Sequence, residues 1–218
     1  RVNARLVGTF GFTDVGRSMD GILYTYKAKS DTFAFTAAVP TRGVFQVDGW
    51  GWNRVAFAYG SYTPASVRGR HAADIRIFAI EYEDWRHVVK VDNRSPAVRQ
   101  ADLRNLRIDT FGGHTLHAID TTAGTLDLLF WGTAQTGGWG LQRHRASAVD
   151  VEVGFQPKFL PRLKPWLRGG VYWGSGDGNP ADDTHGTFFQ VLPTPRPFAR
   201  FPFFNMMNNE DIFGTLLL

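Results

Sequence analysis

The sequence predicts an all-β protein, an antiparallel transmembrane β-barrel with about ten strands in this chain, and three observations point that way. The first is that three strand-like segments between Thr125 and Trp173 alternate in character. Leu126, Leu128, Phe130, Gly132 and Ala134 fall on one side of a first segment, with Thr125, Asp127 and Thr133 on the other. In the next, Val149, Val151, Val153 and Phe155 oppose Asp150, Glu152 and Gln156. In the third, Leu167, Gly169, Val171 and Trp173 oppose Arg168 and Tyr172. Successive side chains of a strand point to opposite faces, so each segment has one apolar and one polar face. The second observation is the connections. Pro157 to Pro165 reads as a compact turn, and Thr136 to His144 as a longer Gly- and Trp-bearing loop at the opposite end. Short turns at one end and long loops at the other is the layout of an outer-membrane barrel. Third, no apolar run reaches the roughly 20 residues of a transmembrane helix, which a barrel does not need.

Taken in order, Ala4, Leu6, Gly8, Phe10 and Phe12 form one face of a first strand, followed by a polar loop to Asp20. Ile22, Tyr24 and Tyr26 open a second strand facing away from Lys27 and Lys29, and Ser30-Asp31 signals a hairpin. Phe33, Phe35, Ala37 and Val39 form the outward face of a third strand, before a long loop from Pro40 to Asn53 that carries Trp50 and Trp52. Val55, Phe57 and Tyr59 oppose Arg54, Ala56 and Ala58 in a fourth strand, and a basic turn follows from Thr63 to Ala72. The fifth runs from Ala73 to Trp85, with Ile75, Ile77 and Ala79 opposing Arg76, Phe78 and Ile80. A long charged loop from Arg86 to Arg104 leads to a sixth strand from about Asn105 to Ala118, with Arg107 and Asp109 on one side. Thr121 to Gly124 closes tightly onto the Thr125 strand, and after Ser175 a long irregular segment precedes a last strand, Ile212 to Leu217. Aromatics near strand ends (Tyr24, Tyr26, Tyr59, Tyr62, Trp85, Trp131, Trp173) fit an interfacial girdle.

The 218 residues read as a single barrel domain over 1–218, incomplete in itself. The chain begins Arg1-Val2-Asn3, so it is expected to be processed or part of a longer protein. There is no cysteine, which excludes disulfides and thiol chemistry. A net charge of +4 suits an anionic partner, but no dense Lys/Arg run supports nucleic acid.

Charges recur on the polar faces: Arg54, Arg76, Arg107, Asp109, Asp127, Asp150, Glu152 and Arg168. In a barrel they are expected to line the lumen, because lipid-facing charge near the midplane costs roughly 2–4 kcal/mol. Arg145 shares parity with Val149 and fits only at a rim or past a bulge. Arginines along a pore favour anions, with carboxylates orienting the guanidinium groups; the plainer alternative is that these charges pair across a wet lumen and select nothing. The 175–183 segment places Asp177, Asn179, Asp182 and Asp183 in a Gly/Pro turn, a ligand type that suits Ca²⁺. It lacks the closing Glu of an EF-hand, so a solvated acidic loop is the plainer reading, and no other cofactor is expected. His114 and His117 fall on opposite faces of a strand and do not share a metal. No nucleophile elbow, phosphate loop or dinucleotide fingerprint appears, so the chain is not read as an enzyme.

Four motifs are more specific: GTFFQVLPTPRPFARFPFFNMMN over 186–208, AVPTRGVFQVDGW over 38–50, YEDWR over 82–86 and VKVDNR over 89–94. Together they make the chain resemble the alginate-export family of bacterial outer-membrane porins. That resemblance implies an Arg-rich lumen passing an acidic polysaccharide across the outer membrane, in a barrel of more strands than this chain supplies. Under it, Arg86, Lys90, Arg94, Arg196 and Arg200 would meet substrate at an entrance. The expected partners are an anionic polysaccharide or other anionic solute, outer-membrane lipid, and periplasmic or membrane proteins. The alternatives are a plugged barrel that anchors a partner complex through its loops, and a soluble sugar-binding β-protein.

Overall fold

The computed structural model describes residues 5–7, 19–40, 54–64, 69–159, 162–192 and 206–218. The described residues are all-β apart from one short helix. The strands are β1 (Met19–Ala28), β2 (Asp31–Pro40), β3 (Val55–Thr63), β4 (His71–Asp84), β5 (Leu106–Asp120), β6 (Gly124–Trp139), β7 (Gln142–Pro157), β8 (Trp166–Gly174), β9 (Thr184–His185) and β10 (Asn209–Leu217). The helix α1 (Pro96–Ala101) lies between β4 and β5. Nine strands form an antiparallel meander in the order β1-β2-β3-β4-β5-β6-β7-β8-β10, and β9 pairs parallel to β7 off that path. Among the described residues the sheet is open, with β1 and β10 at its edges. Both edge strands run toward the short-turn end, so a closure that keeps every neighbour antiparallel takes an odd number of further strands.

Register ties the central strands together. Phe130 sits opposite Thr115 on β5 and Val151 on β7, while Trp131 sits opposite His114 and Asp150. Alternation therefore produces two continuous faces. The open face exposes Tyr24, Phe33, Phe35, Ile75, Ile77, Phe111, Phe130, Val151, Val153, Leu167, Val171, Trp173 and Ile212. The covered face carries the core: Val55, Phe57, Tyr59, Phe78, Ile80, Tyr82, Ile108, Trp131, Ala148 and Tyr172. Seated on it are Leu6 and Val7, Phe188 and Val191, and Met206, all buried. Each such side chain removed from water contributes about 1.5–3 kcal/mol. The covered face is thus a packed interior.

Two expectations are corrected here. Thr136 to His144 is not a loop, because β6 continues to Trp139 and β7 starts at Gln142 with only Gly140 and Leu141 between them. Gly137 and Gly140, both at positive φ, serve the bend and turn of a long hairpin. In β3 the apolar residues face the covered side, so Ala56, Ala58 and, by parity, the exposed Arg54 belong to the open face. The "polar inward" rule fails where the interior is filled with side chains. Of the expected first strand, Leu6 and its neighbour Val7 lie across the covered face, Val7 in an isolated bridge to Leu192; Ala4, Gly8, Phe10 and Phe12 lie outside the described residues.

Candidate functional site

The site is the covered face and the segment folded onto it, residues 175–192, here called the strap. Its first anchor is Ser175, whose Oγ donates to Gly186 O at 2.7 Å and accepts from Ser147 N at 3.0 Å. Phe188 N donates to Ser175 O at 2.9 Å, which curls the strap inward and drives the Phe188 ring edge-on toward Trp131, centroids 6.5 Å apart. Gln135, buried on β6, grips the strap backbone by both ends of its amide: Nε2 donates to Phe189 O at 2.7 Å and Oε1 accepts from Phe189 N at 2.9 Å. Gln190 Nε2 donates to Arg5 O and Oε1 accepts from Met206 N, knitting strap, N-terminal segment and β10 approach together. His185 lies flat on Trp139, centroids 4.0 Å apart with planes 8° from parallel, and its Nδ1 is 2.9 Å from Nδ1 of His144. Both histidines are buried.

Nearer the short-turn end the covered face becomes ionic. Arg5 reaches Asp150 Oδ2 at 2.6 Å and Glu152 Oε1 at 2.8 Å, its guanidinium 5.8 Å from the Trp131 ring. Glu152 also pairs with Arg168. Arg168 lies over Trp166 and 3.8 Å from Asp127, whose Oδ2 accepts from Trp166 Nε1 at 2.7 Å. Gly154 opposite Asp127 leaves room for that carboxylate, which a Cβ would overlap. Arg76 donates to Thr63 Oγ1 at 3.0 Å and lies opposite His114. The structure thus brings Asp127, Asp150, Glu152 and Arg168 together and adds Arg5. No local pattern in the sequence marks Arg5, whose partners come from the far end of the chain.

Other expected lumen residues lie elsewhere. Arg107 and Asp109 share a face with Phe111, the open face, where Arg107 pairs with Glu81 at 2.7 Å. Arg145 stays on the face of Val149 at the loop end, exposed, in register with Thr136. Arg54 is exposed at the same end. The assignment of Arg54, Arg107 and Asp109 to the same face as Asp127 and Asp150 is therefore corrected: they lie on the open face, at its loop end. His114 and His117 do fall on opposite faces, and His117 meets His71 of the neighbouring strand at 2.9 Å.

The entrance residues Lys90 and Arg94 are buried instead of presented to a solute. Arg94 binds Asp92 at 2.8 Å and Asp102 at 2.9 Å; Lys90 Nζ donates to Asp102 O at 2.9 Å and also contacts Arg104 O. Asp92 accepts from Trp139 Nε1, and Asp102 from Leu141 N, so this ionic pedestal clamps the β4–β5 loop onto the β6–β7 hairpin. Burial alone would raise the Asp92 carboxyl, but hydrogen bonds from Arg94 and Trp139 outweigh it and hold it at about 2. Asp102 is also held below the ordinary carboxylate range: burial opposes this, and donors from Leu141, Arg94 and Arg104 prevail. Arg86 forks onto Asp84, at 2.6–3.1 Å.

In the 175–183 segment the side-chain oxygens serve the backbone. Asp177 Oδ1 accepts from Asn179 N, Asn179 Oδ1 from Ala181 N and Asp182 Oδ1 from Thr184 N. Asp183 pairs with Arg143 through both oxygens at 2.9 Å, and Arg143 N donates to Asp183 O. These local turns shape the strap for its parallel pairing with β7. Among the described residues no group of three or more acidic or histidine side chains converges as a metal site. Trp50, Trp52, Arg196 and Arg200 lie outside the described residues.

Searches against family models, curated proteins and solved structures find no match to this chain.

Proposed function

We propose that this chain builds part of the wall of an outer-membrane β-barrel whose interior is closed by the strap, and that hydrophilic solutes pass when the strap is displaced. The carrying observation is the pair of opposed faces. One is a continuous apolar surface with charged rows (Glu83-Arg107-Gly138-Arg143 and Glu81-Asp109-Thr136-Arg145) confined to its loop end. Along β6 the uncharged stretch of that face runs from Leu126 to Ala134, about 27 Å of strand and about 21 Å of height at a tilt of about 40°, near the ≈ 25 Å lipid-facing band of such barrels. The other face holds the strap. An interior that accommodates its own wall side chains and two further backbone segments is wider than an eight-strand barrel, whose side chains alone fill it.

The solute class follows from the resemblance to the alginate-export family: an acidic polysaccharide or its fragments. Inside, Arg5, Arg76 and Arg168 would face it, balanced by Asp74, Asp127, Asp150 and Glu152, which supports passage through a wet charged zone more than strong anion selection.

A second reading has its own support. The strap seat around Trp131, Phe188, Leu6 and Met206 is fully buried, as a permanently plugged anchoring barrel requires. The loop side also exposes Val88, Val89, Val91, Val98, Leu103 and Leu141 to a partner. Single-channel recording in planar bilayers separates the two. The native protein is expected to conduct little, and Phe188→Ser with Val191→Ser to conduct several-fold more, with current reduced by added polyuronate. A variant that inserts but stays as silent as the native protein would favour the anchoring role.

A further inference from the structure

We infer that His144 and His185 form an acid-released latch that holds the strap on the covered face. The inference rests on the strap as the closing element and adds what would open it.

The hydrogen bonds fix the tautomers. Gln135 Oε1 accepts from Phe189 N, and its Nε2 donates to Phe189 O and to Thr110 Oγ1 at 3.1 Å, so the amide has one orientation. That oxygen also faces His144 Nε2 at 3.2 Å, which therefore carries a proton. A neutral His144 then has a bare Nδ1, and the ring nitrogen 2.9 Å away, Nδ1 of His185, must be the donor. The chain runs His185 Nδ1–H to His144 Nδ1, then His144 Nε2–H to Gln135 Oε1. A proton added to His185 goes to Nε2, on a ring that is 1% exposed, where burial opposes the charge. A proton added to His144 Nδ1 forces His185 to carry its own on Nε2, so in either case the added charge sits on the buried pair.

Neighbouring charges do not rescue the cation. Asp177 of the strap and Asp92 of the β4–β5 loop favour it, Arg94 opposes it, and Arg143 on β7 is already neutralised by Asp183. Burial dominates and lowers His185 to about 4. A lifted strap returns this ring to water and to an ordinary value near 6.5. The sign follows: the latch is fully closed above about pH 6.5, and proton uptake favours the lifted state as pH falls toward about 4. One histidine contributes up to about tenfold per pH unit across that window, and on the order of a hundredfold over two units. Asp92, Asp102 and Asp183 are all held below the usual carboxylate range, so the ionic clamps stay charged while the latch titrates.

The chain has no cysteine, so a nitroxide attached at Thr187→Cys reports strap mobility alone, in detergent, without any need for conduction. Lowering the pH from about 7 to about 4.5 should raise the ratio of mobile to immobile label by at least about tenfold. His185→Phe, which keeps a ring on Trp139 but cannot titrate, should diminish that rise to what His144 alone supplies, and His144→Phe with His185→Phe should abolish it. A flat response in the parent protein, or an undiminished rise in His185→Phe, overturns the latch. Should His185→Phe fail to fold, imidazole ¹⁵N spectra of the parent at about pH 7 decide. Protonated Nε2 on His144 with protonated Nδ1 on His185 supports the latch, and any other pattern overturns it. A mobile strap in a protein that never conducts would sink the passage reading and leave the latch standing.

Discussion

Arg5 and Asp150, 145 residues apart in sequence, meet at 2.6 Å on the covered face, with Asp150 fully buried. Arg5 also holds Glu152, so one guanidinium stands between two carboxylates that face the same interior. Removing one partner of a buried pair leaves an uncompensated charge. Arg5→Met should therefore lower stability by about 3–5 kcal/mol in urea unfolding of the folded protein. Arg5→Met with Asp150→Asn and Glu152→Gln should recover most of the loss. Loss below about 1 kcal/mol in the single variant would mean that water already screens this cluster.

The pedestal beneath the β4–β5 loop makes a prediction about acid. Asp92, held at about 2, binds its proton more weakly in the clamped loop than in a released one, where the ordinary value is 3.8. Its contribution is present above about pH 4 and is lost as pH falls through about 2. Asp102 moves in the same direction. Pepsin cleavage within 85–105 should begin only below about pH 3. Asp102→Asn should admit cleavage at higher pH.

Gly154 tests packing inside the ionic zone. A methyl group there would meet the Asp127 carboxylate, which is fixed by Trp166 Nε1 at 2.7 Å. Gly154→Ala should destabilise by about 1–3 kcal/mol and change the Trp166 emission.

Much of this was legible in the sequence where one face is uniformly apolar. β6, β7 and β8 each keep one apolar face, and their facing follows from period two. The same rule misplaced Arg54, because Val55, Phe57 and Tyr59 pack inward against a filled interior. It also misplaced Arg107 and Asp109, which share the open face with Phe111 and pair across strands with Glu83 and Glu81 at its loop end. Gly137, Gly138 and Gly140 look like loop residues in isolation, yet pairing with β5 and β7 keeps Gly137 and Gly138 in the strand. Lys90 and Arg94 read as free loop cations, because their partner Asp102 is brought back only by the turn around α1. His144 and His185 gave no signal: 41 residues separate them, and β9 is two residues long.

The open face gives a graded expectation. Val151→Arg places charge in the middle of the apolar band and should destabilise the protein in bilayers by about 2–4 kcal/mol. Thr136→Arg, in the row already holding Asp109 and Arg145, should cost no more than about 1 kcal/mol. Equal costs at the two positions would argue against a lipid-facing surface.

The central claim, that the open face of this sheet meets lipid and the covered face does not, is tested most directly by a nitroxide scan of β7. Single cysteines at each position from Ser147 to Phe155, in protein reconstituted into outer-membrane lipid, would be read for collision with oxygen, which concentrates in lipid, and with a water-soluble nickel chelate. The account predicts a period-two pattern, with oxygen maxima at Val149, Val151 and Val153 and low access to both reagents at Ala148 and Asp150. Nickel collisions dominating at Val149, Val151 and Val153 would contradict it.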